Sequence, residues 1–355
     1  MARKGRFVNL SVTICPEFDA FWYSCYVQGI RELFPPARRR FSMRPFPPCD
    51  NPVHFRCIVH GERDLRCFID AKDNPRYDQR GLEWCDVYAK VNLRNDDAPS
   101  PKVISAGPNF PMKLERLAGT AIRSLALFGL RTAARRQCSR TYARMHFAGW
   151  HSQWRYAERE SDYSYQPSNK SYVFFASSLW KNEAEANEIR ASFIRICRSL
   201  RGVRFEGGFA PRSAGDVPGF DDLTTARRYS HREFVEKSAR SLVVLNNPAV
   251  ARSHSWRLAE FLALGKAIIS TTLDCAVPAP LVHGEHIHYA GPAHESLRAA
   301  IEQIIDDPAY RTRLERGARD YYERFLSPRA VMSRLLLRTN ASARAAEAIP
   351  EELAK

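Results

Sequence analysis

Apolar and polar residues alternate over 6–14 (RFVNLSVTI), and this period of two predicts a first strand. Over 18–33 (FDAFWYSCYVQGIREL) the apolar spacing changes to three and four, which predicts a helix that Pro35 and Pro36 stop. Short apolar runs at 54–60 (HFRCIVH), 65–71 (LRCFIDA) and 86–93 (DVYAKVNL) have the length of sheet strands. Pro99, Pro101, Pro108 and Pro111 then mark a loop region. From Lys113 to about Phe147 the pattern is helical and strongly basic. The polar stretch AERESDYSYQPSNK (157–170) that follows has the composition of a linker.

The second half is more regular. SYVFFASS (171–178) predicts a strand, 182–200 an amphipathic helix, and VRFEGGF (203–209) a second strand. SLVVLNN (241–247), SWRLAEFLALG (255–265) and AIIST (267–271) repeat the order strand, helix, strand. HIHYAG (286–291) leads into a helix over 295–307, and beyond Pro308 the segment 309–326 supplies another. Strands alternating with helices of this length predict an α/β fold whose parallel sheet carries helices on both faces. The division expected is an acceptor-binding domain over 1–160, a nucleotide-binding domain over 161–330, and a helical or flexible tail over 331–355, both domains being Rossmann-like and facing a cleft.

Composition narrows this picture. At 355 residues there is material for two domains, and 45% hydrophobic with 11% aromatic residues excludes a disordered chain. A net charge of +15 implies anionic partners: nucleotides, nucleic acid, acidic lipid headgroups or acidic glycans. The nine cysteines are scattered without a CxxC pair, which fits a reducing compartment better than a disulfide scaffold. The basic N-terminus lacks the continuous apolar run of a signal peptide, and no window approaches the ~18–20 apolar residues of a membrane span. The expectation is a cytoplasmic protein.

Candidate chemistry concentrates at the helix start in SHSWRLAEFLALGKAIIS (253–270). Gly265 ends this helix, Ser253 or Ser255 can cap it, and Arg257 falls in its first turn, where the helix dipole already disfavours a cation. Glu260, three residues on, shares a face with Arg257. The start also follows a strand, and open α/β sheets hold ligands at the carboxyl ends of their strands. Backbone N–H groups and Arg257 suit a diphosphate, whereas an ionised Glu260 accepts sugar hydroxyls. A nucleotide sugar has both features.

Together with GEHIHYAGPAHESLRAAIEQIIDDPAYRTRLERGARDYYERF (284–325), this segment resembles the donor-binding half of a GT-B-fold glycosyltransferase over roughly residues 170–330. The resemblance implies that Glu260 binds the ribose or the sugar and that Lys181, after the strand YVFFASS, neutralises the donor diphosphate. Arg252 stands where many retaining members carry a first glutamate, so stereochemistry stays open. Ser255 and His286, the latter in a loop that would contact the donor, complete the donor-binding set.

A catalytic base is expected from the first domain: Asp19 after the first strand, or Asp70 or Asp73 in CFIDAKDN. Tyr88, Lys90 and Asn92 alternate on one strand face that can line the cleft. His283, His286 and His288 match no zinc spacing, and no DxD, P-loop, GxGxxG or GxSxG is present. Neither metal nor cofactor is therefore expected, the nucleotide sugar being a substrate. Apolar Leu114, Leu117, Ile122, Leu125, Phe128 and Leu130 interleave with Arg116, Arg123, Arg131, Arg135 and Arg136, so an anionic membrane surface joins the donor and a glycan or lipid-linked acceptor as a partner. The alternative class is a basic nucleic-acid- or membrane-binding protein without transferase activity. Nucleic acid is disfavoured because the arginine runs form no recognition motif.

Overall fold

The computed structural model describes residues 9–48, 54–95, 100–135, 139–212, 217–248 and 250–347. The first half builds β1 (Ser11–Ile14), α1 (Ser24–Leu33), β2 (Arg39–Phe41), β3 (Phe55–His60), β4 (Leu65–Asp70), α2 (Gln79–Trp84), β5 (Val87–Lys90) and β6 (Val103–Ser105). Residues 6–8 of the expected first strand lie outside the described residues. The helix expected from residue 18 begins at Ser24 because Asp19 Oδ1 accepts the N–H groups of Phe21 and Trp22, bending the chain into a turn first.

These strands form one sheet in the order β2-β1-β3-β4-β5-β6. β4, β5 and β6 run parallel, but β3 is antiparallel to both β1 and β4. The four residues Gly61 to Asp64 are too few for a crossover helix, which a parallel pair would need, so β3 and β4 close as a hairpin. Beyond β6 the basic segment forms two helices, α3 (Leu117–Arg135) and α4 (Arg140–Tyr156). Ser139 starts the second by accepting the N–H of Tyr142, while Arg136 is outside the described residues.

The second half contains β7 (Tyr172–Ser177), α5 (Ala184–Ser199), β8 (Arg204–Phe209), α6 (His231–Arg240), β9 (Val244–Asn246), α7 (Trp256–Ala263), β10 (Ile268–Ser270), β11 (His288–Tyr289), α8 (His294–Asp306) and α9 (Pro308–Tyr321). All its strand pairs are parallel: β7 with β8, and β10 with both β9 and β11. The two pieces meet edge to edge where Leu242 N–H donates to Tyr172 O at 2.8 Å and Phe174 N–H to Ser241 Oγ at 2.9 Å. Buried residues of α5 and α8 (Ile189, Phe193, Leu297, Ile301) pack on one face, and those of α6, α7 and α9 (Val235, Leu258, Ala318) on the other. The molecule is thus α/β, with two Rossmann-like units facing a cleft.

A last helix, α10 (Pro328–Glu347), returns to the first half and packs along α1 through Val331, Met332, Leu335 and Leu336. Gly29 permits the crossing, since a Cβ there would lie 2.1 Å from Pro328 O. The expected tail is therefore helical up to Glu347, and 348–355 fall outside the described residues. The described cysteines are free and buried, with Cys49 and Cys138 outside the description. Among the described residues no helix is long and apolar enough to cross a membrane.

Candidate functional site

Two cavities lie at the cleft, and Trp256, the first residue of α7, lines both. One, of about 370 Å³, is formed by the carboxyl ends of β7 and β8 (Ser177, Ser178, Gly208) with His231, Arg257 and Glu260. The other, of about 280 Å³, lies toward the first half and is lined by Asp19, Trp22, Lys72, Asp73, Asn92 and His254. An aromatic seam divides them: the ring centroids of Phe21 and Trp22 are 5.0 Å apart, those of Trp22 and Trp256 5.4 Å, and those of Phe21 and Trp256 6.1 Å.

The chain enters α7 through two left-handed residues, Ala251 (φ 54°) and Arg252 (φ 57°). Neither is glycine, so each conformation costs on the order of 1–2 kcal/mol and needs outside support. Arg94 of the first half supplies it by donating to both of their carbonyls, and Arg252 pairs with Asp274 at 2.8 Å. Ser255 occupies the cap position, but its side chain makes no capping hydrogen bond.

Arg257 projects into the larger cavity with its guanidinium 5.0 Å from the Phe234 ring centroid, and among the described residues no carboxylate pairs with it. Desolvation brings its pKa down to about 10. Behind it, buried Arg190 donates to Ser178 O, Asn247 Oδ1 and Pro248 O rather than to a carboxylate. Burial, then repulsion from Arg257, pushes the pKa of Arg190 to about 9. The strand ends therefore hold two buried guanidinium groups, with the Glu260 carboxylate acting on Arg257 and that of Glu183 on Arg190 without a direct ion pair among the described residues.

Glu260 does not pair with Arg257. It is 1% exposed; its Oε1 accepts from Tyr163 Oη at 3.0 Å and from His231 Nε2 at 3.1 Å, while buried Oε2 has no partner among the described residues. Burial opposes the charging of His231, but the adjacent Glu260 carboxylate outweighs it and the pKa rises. Tyr163 belongs to the expected linker, where a short turn over Glu160–Tyr163 buries the phenol instead of leaving the segment solvated. Gly208 (φ 140°) lets β8 end against the cavity, as a Cβ there would meet Leu223 O at 2.3 Å.

The remaining expected donor residues are placed elsewhere. Lys181 is exposed in the turn after β7 and lines neither cavity, and Ser255 lines neither. His286 is buried, accepts Val282 N–H at Nδ1 and lies against Tyr321, also away from both. Among the described residues no three His, Cys, Asp or Glu side chains are grouped to hold a metal ion.

Of the three expected carboxylates, Asp19 and Asp73 line the smaller cavity and Asp70 does not. Asp70 is buried, with Oδ2 accepting from Tyr88 Oη at 2.8 Å and Lys90 Nζ at 3.0 Å, and Oδ1 from Lys72 N–H at 3.0 Å. These contacts hold the carboxylate inside the β4 end, outside the smaller cavity. Desolvation raises the pKa of Asp19 against two backbone hydrogen bonds, and that of Asp73 against one hydrogen bond from the Asn92 side chain. His254 completes this cavity: its Nε2 faces Ala276 O at 3.2 Å, which makes Nε2 the protonated nitrogen, and burial lowers the pKa to about 4. Its backbone N–H donates to Asn92 Oδ1, tying the two halves together at the site.

His231, Tyr163, Arg190, His254, Trp22 and Trp256 were not legible as site residues from spacing. One signal existed for His231: Ser230 and Glu233 form a reciprocal capping box, and that S-x-x-E pattern marks the start of α6. For the others, only long-range packing brings them to the cleft.

No protein-family model matches the chain, and no curated protein matches it. Among solved structures, a glycosyltransferase from Rickettsia africae is similar at 10% identity and a TM-score of 0.40, over 73% of this chain and 64% of that one. UDP-GlcNAc 2-epimerase from Neisseria meningitidis, bound to UDP-GlcNAc, gives 13% and 0.39 over 77% and 69%. The α,α-trehalose 6-phosphate synthase from Burkholderia multivorans gives 14% and 0.36 over 50% of this chain and 43% of that one. The chain thus spans less than two thirds of the synthase and of the glycosyltransferase. No residue role follows from similarities this distant.

Proposed function

We propose that the protein is a glycosyltransferase that moves a sugar from a nucleotide-sugar donor to an acceptor hydroxyl in glycan synthesis. One observation carries the reading: at the carboxyl ends of parallel strands, a single cavity holds a guanidinium that makes no direct ion pair and a buried carboxylate oxygen that meets no hydrogen-bond donor among the described residues. Such groups are costly unless a ligand supplies both an anion and a hydroxyl. In this reading Arg257 and the first-turn N–H groups of α7 meet the diphosphate, and Glu260 Oε2 accepts a ligand hydroxyl. The acceptor enters the smaller cavity, where Asp19 or Asp73 takes its proton as its oxygen bonds to the sugar carbon. The bond from that carbon to the diphosphate oxygen breaks, and the electron pair leaves with the diphosphate, whose charge the guanidinium groups stabilise. Transfer in this scheme proceeds without a metal ion.

The same reading places the chain, with its glycan or lipid-linked acceptor, against the anionic inner face of a cell membrane. Leu117, Ile122, Leu125 and Leu130 are 57, 69, 62 and 43% exposed along the outer side of α3, and exposed Arg116, Arg140 and Arg144 accompany them. Apolar residues rimmed by cations suit an acidic bilayer surface.

Thermal stabilisation by UDP, GDP, CMP, TDP and ADP tests the donor site. One nucleotide at a hundred times its Kd adds about 2.7 kcal/mol to the wild type and shifts its Tm, with the shift lost in Arg257→Ala and Glu260→Ala. Absence of stabilisation by all five would refute the reading.

A further inference from the structure

The carboxylate of Glu260 is held by two residues from distant parts of the chain. Tyr163 Oη and His231 Nε2 lie 3.0 and 3.1 Å from Oε1 and 3.0 Å from each other, closing a triangle. Its corners come from the turn after α4, the first turn of α6 and the second turn of α7. The two holding groups are themselves fixed. The Tyr163 ring centroid is 4.5 Å from that of Phe110, and its carbonyl accepts from Arg319. The His231 ring lies parallel to Phe234, 18° apart in plane, and against Trp256.

Both contacts fall on the same oxygen. A carboxylate free to rotate would share two donors between its oxygens; here both are on Oε1, and Oε2 stays buried and without a partner among the described residues. Leaving such an acceptor unsatisfied costs about 1–3 kcal/mol, which a hydroxyl donated from the cavity would offset. With the donor reading as its basis, we infer that Tyr163 and His231 are positioning residues: they anchor Glu260 through Oε1, aim Oε2 at a ribose hydroxyl, and so set a preference for ribonucleotides over deoxyribonucleotides. The segment with a linker's composition then belongs to the donor site.

The test is the Kd ratio between 2′-deoxy and ribo forms of the same nucleoside diphosphate (dUDP against UDP, dGDP against GDP, dADP against ADP), by calorimetry on the full chain. A hydrogen bond to a charged group predicts a wild-type ratio of about 10 or more. Tyr163→Phe keeps the ring packing and removes only the hydroxyl; it and His231→Gln are each expected to lower the ratio at least threefold, and Glu260→Ala to abolish it. A purely structural role would weaken both ligands equally and leave the ratio alone. Since either variant can fail to fold, each is measured independently. A wild-type ratio near one, or an unchanged ratio in the folded variants, overturns this inference while nucleotide binding still stands. If no nucleoside diphosphate binds the wild type, the donor reading itself falls and takes the inference with it.

Discussion

At the residue scale, identical side chains in one short segment have opposite fates. Asp70 and Asp73 both follow an apolar run, and their spacing does not separate them. Alternation along β4 does: Asp70 is the last strand residue and turns into the layer of Tyr88 and Lys90, whereas Asp73 lies past the strand at the cavity. Removing one partner of a buried ion pair costs about 3–5 kcal/mol, so Asp70→Ala is expected to lower the Tm sharply by stranding Lys90. Asp73→Asn is expected to stay within ~0.5 kcal/mol of the wild type in a denaturant titration. If Asp73 takes the acceptor proton, the same variant loses transfer at an unchanged nucleotide Kd. Arg257 and Glu260 stood out in the sequence as candidate ligand groups because a cation in a first helical turn and a carboxylate amid apolar neighbours both lack a local explanation.

At the element scale, period and punctuation located most strands and helices to within a few residues. They failed where side chains reorganise the backbone: the Asp19 turn delays α1, and the break near Ser139 divides one expected basic helix into α3 and α4. Periodicity shows that a helix has an apolar side but not what covers it, since burial depends on partners distant in sequence. In α3 the inner side is small and polar at Thr120 and Ser124, and Leu127 alone of its leucines is buried, so much of the apolar side faces outward. The double change Ile122→Asp with Leu125→Asp should therefore leave the Tm nearly unchanged. The same double change is expected to abolish co-sedimentation with vesicles rich in phosphatidylglycerol. Equal sedimentation of variant and wild type would remove the membrane reading.

At the scale of the whole molecule, α10 and the turn over Glu160–Tyr163 connect the halves. Where they meet α1, the carboxyl groups of Glu160 and Glu32 face each other; burial, then repulsion from Glu32, raises the pKa of Glu160 to about 7. An ordinary glutamate titrates near 4.3, so between that pH and about 7 the folded chain holds a proton the unfolded chain has lost. Its stabilising contribution is complete below about pH 4 and disappears as pH rises through 7. Glu160→Gln, which keeps the hydrogen-bonding shape without the charge, is expected to raise the Tm at pH 8. That gain should shrink steadily toward pH 5, and a gain independent of pH would contradict this account.

The sequence by itself determined the α/β class, the succession of elements in the second half, and the helix start bearing Arg257 and Glu260. Those features rest on periods of two and 3.6 and on residues within one turn of each other, which any folded context preserves. Tertiary structure alone decided the antiparallel β3–β4 hairpin within the first sheet, the burial of Tyr163, the approach of Trp22 to Trp256, and the placement of Lys181 and His286 outside both cavities. Each depends on contacts between segments far apart in the chain, where local propensity has no influence and packing, charge neutralisation and hydrogen-bond satisfaction choose the arrangement.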